Sequence, residues 1–575
     1  MKRLHTLLVL MLCGYSLCPA QSPDNAPPDA IYVNGHVLAV DLTFGTYQAF
    51  AVKADHFAAV GTNASIAALA GPKTIRVDLQ GRTVIPGLID GHNHQYRAAT
   101  LLRRGVDVVD VPSLAELLSR IHAAALKAKP GETVYTSAGW DYKTFPEKRV
   151  PNKAELDQAG ASHAVVIQTT RGNVYMNSLA LKELDITRDT KDFSGFPVTK
   201  DQDGEPTGWL TAPVGPFLPQ SLQAATAKII PTPTMEEKMR LVEHEQHLQN
   251  ALGITSLREL WLTPEAMRVY QQLYRQHRMT IRVSMGITAF GSTKPAELEE
   301  TLKTWGVGSF FGDHWLRLDD VGELQVDGSV EDSYLREPFT KPANKGPGSM
   351  LTNATPANLI SLISLIDRYD WRPSTHIWGD RGLDVTLDAY EAAVEEQGPV
   401  NDKRWTVEHV LLIHPDQVER MKKMSILVSA QAQPYWEASI MREYWGDKRA
   451  DSAEPLRLLL DKGMIVGSGS DWPSLPNNPF VNFYFYVTRD SQRWGPIGLD
   501  QKITRPEALR LATINNAYIT NEEKVKGSIE PGKLADFLIL SADIMTVPDK
   551  EIPKIHPLAT FVDGNKVYSS GESSF

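Results

Sequence analysis

The chain of 575 residues is several times the usual domain length of ~100 to 200, so a barrel with accessory structure, or two to four domains, is expected. With 42% hydrophobic and 22% charged residues it can bury a sizeable core, which excludes a disordered chain. A formal net charge of -10, from 59 basic against 69 acidic residues, leaves no basic footprint for nucleic acid.

Lys2 and Arg3, the apolar run Leu7 to Leu12 and the small-residue site Cys18-Pro19-Ala20 have the three-part pattern of a secretory signal peptide over residues 1–20. This predicts export to the periplasm or beyond, with no membrane attachment after cleavage. A membrane anchor would need ~20 apolar residues. Leucine before Cys13 and before Cys18 argues against lipid attachment. Both cysteines lie in this segment, so the mature chain has no disulfide, thiolate nucleophile or Cys-ligated zinc.

After a Pro- and Asp-rich linker at 21–30, strands are predicted at Ile31 to Val40, Ala49 to Val60 and Ile75 to Leu79, with Asn34-Gly35 as a tight hairpin turn. The pattern returns at Asp536 to Leu540 and Ala559 to Tyr568, with a last turn at Asp563-Gly564. The two ends are expected to pair into one composite β-domain, 31–85 with 525–575; two independent hairpin caps are the alternative.

Between them, candidate strands begin near Leu88, Ile254, Ile281, Leu316, Ser374, Trp405, Ile426 and Met464, with helical patterns between several of them. Eight βα units fit an α/β fold of the TIM (β/α)8 barrel type over 86–524, whose strand C-terminal ends carry the active site. The gap after the first strand is far too long for one crossover of about a dozen residues, so a large insertion is expected at about 96–250. Ser113 to Glu116 reads there as a capping box opening a helix, and Ala164 to Ile167 as a strand.

The sharpest chemical signal is Val84-Ile85-Pro86-Gly87-Leu88-Ile89-Asp90-Gly91-His92-Asn93-His94. Residues i and i+2 of a strand share a face, so His92 and His94 can grip one cation. His376, His409 and Asp471 end three later candidate strands, at about one and then two βα units of separation, which directs all of them to one mouth. Imidazole with carboxylate suits zinc and neighbouring transition metals. His244 and His247 share a helix face at i, i+3, not the i, i+4 of a zinc protease helix, and read as surface residues. Gly467 to Ser470 lacks the spacing of a nucleophile elbow.

With these pieces, together with Gly139-Trp140-Asp141, Gly204-Glu205-Pro206-Thr207-Gly208, Gly379-Asp380-Arg381, Glu408-His409, Gly469-Ser470-Asp471-Trp472-Pro473 and Lys526 to Asp536, the sequence resembles the amidohydrolase superfamily from about Ile31 to Tyr568. The resemblance is to the branch of N-substituted formamide deformylases and related exported metal-dependent hydrolases. It implies one or two divalent ions, zinc first, ligated by His92, His94, His376 and His409, with Asp471 as the catalytic carboxylate. Family members commonly carry a carboxylated lysine on strand four, where this chain reads Glu323; a glutamate supplies that carboxylate directly and would bridge two metals. The other reading is a mononuclear site with Glu323 as a strand-end salt-bridge residue. Arg171-Gly172-Asn173 stands where relatives often read Asp-Gly-His, so an imidazole near substrate is replaced by a group that does not titrate near neutral pH.

The expected reaction is hydrolysis of a non-peptide, amide-like C–N bond of a small molecule by a metal-activated hydroxide, with Asp471 as general base and then acid. A deaminase or cyclic-amide hydrolase on the same scaffold, and an inactive exported metal- or ligand-binding protein, are the alternatives. Trp140, Arg171, Asn173, Trp378, Arg381, Gln431 and Trp472 are candidate pocket residues from their positions in motif loops, and packing is the competing role for each. Oligomeric state is not legible.

Overall fold

The structure is a computed structural model, described over residues 26–572 except 141, 143–144, 170–171, 212–222, 343 and 352–353. The leader at 1–20, the start of the linker and Arg171 lie outside the described residues.

Eight strands form one all-parallel sheet in chain order: β1 (Leu88–Asn93), β2 (Ile254–Leu262), β3 (Arg282–Ile287), β4 (Leu316–Gln325), β5 (Arg372–Ile377), β6 (Thr406–His409), β7 (Leu427–Ala430) and β8 (Val466–Ser468). Each starts within two residues of its sequence-predicted position, although the strands are not uniformly apolar: β5 reads Arg372-Pro373-Ser374-Thr375-His376-Ile377 and β6 Thr406-Val407-Glu408-His409. Seven neighbouring pairs are laddered, and the sheet nearly closes into a barrel. At the remaining seam the Ser470 and Asp471 amides donate to the His92 carbonyl at 3.2 and 2.8 Å, and His94 N–H donates to the Trp472 carbonyl at 2.9 Å. The Asn516 side chain spans the same seam, donating to the carbonyls of Ile89 and Ser468 and accepting from Ser468 N–H. Fully buried Trp371 and Trp405 and the aliphatic residues of β2 to β8 belong to one continuous core.

Strands from the two ends of the chain share a six-stranded sheet in which Thr83–Pro86 pairs antiparallel with Phe537–Leu540. Against it lies a four-stranded sheet built from Ala30–Val33, Ala49–Lys53, His56–Gly61 and Ile75–Asp78. Tyr32, Phe50, Phe57, Phe537 and Phe561 fill the space between, Phe537 stacked on Phe561 at 4.4 Å. The Asn34-Gly35 hairpin is corrected by this arrangement. Ala30–Val33 belongs to the four-stranded sheet and His36–Leu38 to the six-stranded one, so Asn34, at φ 58°, turns the chain from one layer to the other. Asp563-Gly564 does form a tight hairpin, with φ of 53° and 70° as that turn requires.

Between β1 and β2 the chain builds a further six-stranded sheet, Val134–Tyr135 through Pro206–Leu210. The helix Leu114–Ala125 beside it starts as expected at Ser113, whose hydroxyl accepts from Glu116 N–H. Glu116 itself pairs with Arg120 at 2.8 Å, so only half of the capping box is seen. No helix among the described residues is long and apolar enough to cross a membrane.

Candidate metal centre

His92, His94, Glu323, His376, His409 and Asp471 come from the C-terminal ends of β1, β4, β5, β6 and β8 and meet at one mouth of the barrel. Glu323 sits at the middle. Its Oε1 lies 3.3 Å from His92 Nε2 and 3.8 Å from His94 Nε2; its Oε2 lies 3.1 Å from His376 Nδ1 and 3.3 Å from His409 Nε2. Asp471 Oδ1 completes the first half, 3.4 Å from His94 Nε2 and 3.7 Å from His92 Nε2. The Asp471 and His376 side chains are 12% and 10% exposed against 0–2% for the other four, so access from solvent runs past these two.

The backbone explains how consecutive residues reach one site. In an extended strand Glu408 and His409 would face opposite sides of the sheet. His409 and Val410 instead adopt left-handed φ of 65° and 45°, which turns His409 inward beside Glu408. Asp471 at φ 57° makes a similar bend after β8. Such conformations cost about 1–3 kcal/mol each and persist where the surroundings over-determine them. Gly469 serves close approach, since a Cβ there would stand 2.5 Å from His92 Cβ. Asp90 fixes the loop of Asp471 by accepting from Ser470 N–H (2.8 Å), Ser470 Oγ (2.6 Å) and Asn93 Nδ2 (2.8 Å).

Each imidazole has a second partner that orients it. His92 Nδ1 is 2.8 Å from Glu408 Oε2, and the other Glu408 oxygen accepts from Arg258 at 2.6 Å and Ser374 Oγ at 2.7 Å. Arg258 continues to Asp319 and Asp320, and Arg372 pairs with Asp319, so a buried ionic chain crosses the barrel interior. His94 Nδ1 faces the Leu260 carbonyl at 3.3 Å, and its ring stacks on Trp261 at 4.6 Å. Trp261 Nε1 donates to the Glu323 carbonyl at 2.8 Å. His376 Nε2 lies 3.4 Å from the Gly328 carbonyl, and His409 Nδ1 lies 2.7 Å from Gln433 Nε2. Arg258, Trp261 and Gln433 were not legible as site residues, and Glu408 was legible only as part of the Glu408-His409 motif, without its role: it stands 316 positions from His92, and a pairwise contact leaves no local spacing.

The carboxylates and imidazoles of the centre shift one another: burial would lower His92 and His376, but Glu323 leaves both raised above their ordinary value. Burial alone would raise Glu323, but His92 and His376 hold its carboxyl well below the usual range. Burial likewise opposes ionisation of Asp471, yet the His94 hydrogen bond and the His92 charge leave it lowered. His409 is lowered by burial and by His376, which keeps it neutral as a ligand must be. His92, His94 and His409 each retain a buried Nε2 with no hydrogen-bond partner among the described residues. Buried unpaired nitrogens are costly unless something else occupies their lone pairs. The ligand atoms of His92, His94 and Asp471, and those of His92, Glu323 and His409, each lie within 4.8 Å of one another, a spacing that fits a divalent cation.

The remaining predicted residues separate by contact. Trp378 borders the centre, its ring 5.7 Å from that of His409. Gln431 is fully buried and donates to Ser429 Oγ at 2.7 Å, in the same hydrogen-bond chain as Gln433. Trp140 is 3% exposed, gives its indole N–H to the Gln168 carbonyl and stacks on Phe145, a packing role. Trp472 donates to Glu245 Oε1 at 2.8 Å. Arg381 is an exposed residue 3.4 Å from Asp384. Asn173 is half-buried, its backbone closing a turn with Thr169. His244 and His247 are exposed, and the segment's buried members are Gln246 and Glu245, the latter also taking Arg103.

A match to the amidohydrolase family extends over residues 76–568. The chain belongs to the amidohydrolase family. As a member it is a metal-dependent hydrolase acting on carbon–nitrogen bonds. It is similar to an N-substituted formamide deformylase of Arthrobacter pascens, 25% identical over 559 residues that cover 93% of this chain and 97% of the relative. Among solved structures it resembles an uncharacterized metal-dependent hydrolase of Pyrococcus furiosus, with a TM-score of 0.71 at 24% identity, covering 90% of this amidohydrolase and all of that chain. An atrazine chlorohydrolase of Arthrobacter aurescens complexed with zinc shares the fold at a TM-score of 0.52 and 13% identity, covering 95% of this chain and 96% of that one.

Proposed function

We propose that this amidohydrolase cleaves an amide-like, non-peptide C–N bond of a small molecule at a two-zinc centre, releasing a carboxylate and an amine. The observation that carries the two-metal reading is the division of Glu323, Oε1 toward His92 and His94 and Oε2 toward His376 and His409. His92, His94 and Asp471 would hold one cation, His376 and His409 the other, with Glu323 shared between them. The nitrogen- and oxygen-only donor set suits zinc. When bound, the cations supply the Lewis acidity that brings a water pKa from ~15.7 toward ~7 and polarises a carbonyl.

The chain's own groups do the rest. Asp471 is ionised at neutral pH, so its carboxylate accepts the proton of the attacking water and returns it to the leaving nitrogen as the C–N bond breaks. Glu408 and the Leu260 carbonyl keep the proton of His92 and of His94 on Nδ1, leaving each Nε2 lone pair directed at the centre. Trp378 forms part of the substrate-facing wall, and Arg171-Gly172-Asn173 shapes a range that differs from relatives with a histidine there. The composite terminal domain, the inserted domain at about 96–250 and a leader that exports the enzyme complete this reading.

Product analysis on a panel of N-formyl, N-acyl and cyclic amides tests it. A carboxylate and an amine in equal amounts are expected; stoichiometric ammonia would mark a deaminase instead. No turnover by the metal-loaded protein, with Asp471→Asn still binding ligand, would mark a binding protein.

A further inference from the structure

The two halves of the centre differ in what stands behind their histidines. His92 is backed by a carboxylate that is itself ion-paired, whereas His409 is backed by the neutral amide of Gln433. In the structure Gln433 Nε2 donates to His409 Nδ1, which puts the single proton of a neutral imidazole on Nε2, the atom facing Glu323. Ligation through Nε2 requires the other tautomer, with Nδ1–H donating to an acceptor. The only atom on Gln433 able to accept is Oε1, and that buried oxygen has no partner among the described residues. Behind it the chain continues through groups that can reverse polarity: Gln433 Nε2 to Gln431 Oε1 at 3.4 Å, and Gln431 Nε2 to Ser429 Oγ at 2.7 Å. Rotating both amides by 180° would let Gln433 Oε1 accept from His409 Nδ1–H and from Gln431 Nε2, while Gln431 Oε1 accepts from the Ser429 hydroxyl. Every link is kept in both senses, and all four residues are at most 1% exposed, so water cannot substitute for a lost link.

We propose that Gln433 is a positioning residue that sets the tautomer of His409 through this reversible chain, and thereby the affinity of the His376–His409 half-site for its cation. The half-site of His92 and His94 does not depend on it. This rests on the two-metal reading above. The test uses full-length protein loaded with excess zinc, dialysed against graded chelator and analysed for zinc per chain, with folding followed by circular dichroism. Gln433→Leu is expected to weaken the second equivalent by about 10- to 100-fold while the first shifts less than about threefold. Gln433→Glu, which can only accept from Nδ1–H, is expected to restore or exceed wild-type retention of the second equivalent, a rescue that mere cavity filling would not produce. Wild-type retention of both equivalents by Gln433→Leu, equal loss of both, or Gln433→Glu behaving like Gln433→Leu would overturn the proposal. Uptake of only one equivalent by wild-type protein would instead refute the two-metal reading beneath it.

Discussion

Replacing Glu408 by Gln removes one charge and almost no volume from the centre's support. Glu408 is fully buried, and Arg258 and His92 hold its carboxyl well below the usual range against the opposing effect of burial. Two consequences can be separated. Removing one partner of a buried ion pair costs about 3–5 kcal/mol when the other charge is orphaned. Arg258 is not orphaned, because Asp319 and Asp320 still bind it, and the cluster of Arg258 and Arg372 against Asp319, Asp320 and Glu408 goes from -1 to neutral. The stability loss should therefore stay at or below about 3 kcal/mol. The second effect falls on His92: a neutral amide oxygen is a weaker acceptor for Nδ1–H, and loss of such an outer partner weakens metal binding about 10- to 100-fold, or roughly 1.4–2.7 kcal/mol. Competition with a chromogenic chelator measures the second effect, and thermal melting of the apo- and zinc-loaded protein measures the first. A folded Glu408→Gln protein that holds its first zinc equivalent within twofold of wild type would refute the orienting role.

Other outcomes follow from the same geometry. Asp471→Asn should lower kcat by about 10²- to 10⁴-fold in zinc-loaded protein, the usual worth of a positioned general base, and a loss below tenfold would remove Asp471 from that role. Because Glu323 brings its own carboxylate, reconstitution of stripped protein should be indifferent to bicarbonate; a clear bicarbonate requirement would contradict the assignment. Glu454, buried and accepting from Ala432 N–H, is pushed up to about 7 by burial despite Arg489. Its folded form binds a proton more tightly than the unfolded chain, so its carboxylate costs stability progressively as pH rises from about 4.5 to 7. Glu454→Gln should then melt like wild type near pH 4.5 and gain up to roughly 3 kcal/mol above pH 7, accumulating at about 1.36 kcal/mol for each pH step of one across that window. A Tm difference that does not grow with pH would contradict this.

Much of the barrel was legible because its signals are local. Eight candidate segments each became one strand, and His92-Asn93-His94, His376, His409 and Asp471 close four of them at a mouth that the parallel topology makes common. Glu323 came only from the family resemblance, as the residue standing where relatives carry a carboxylated lysine shortly before Asp327-Gly328. What escaped depends on packing between distant strands. Arg258 and Glu408 look like interior strand residues until β2 and β6 face each other across the barrel, and Gln433 reads as the opening of a helix until His409 turns inward at φ 65°. Asn34-Gly35 carries a hairpin signature but joins two layers, since turn chemistry fixes a local bend and not the sheet that each arm enters. Trp140 and Trp472 lie in motif loops as expected, yet their indole N–H groups are committed to Gln168 and Glu245, partners that no local pattern announces.

The most direct measurement is anomalous diffraction at the zinc edge from crystals of zinc-loaded protein. Two peaks about 3.5–4 Å apart are expected, one among His92, His94 and Asp471 and the other beside His376 and His409, with Glu323 between them. A single peak, or density away from these six side chains, would contradict the account.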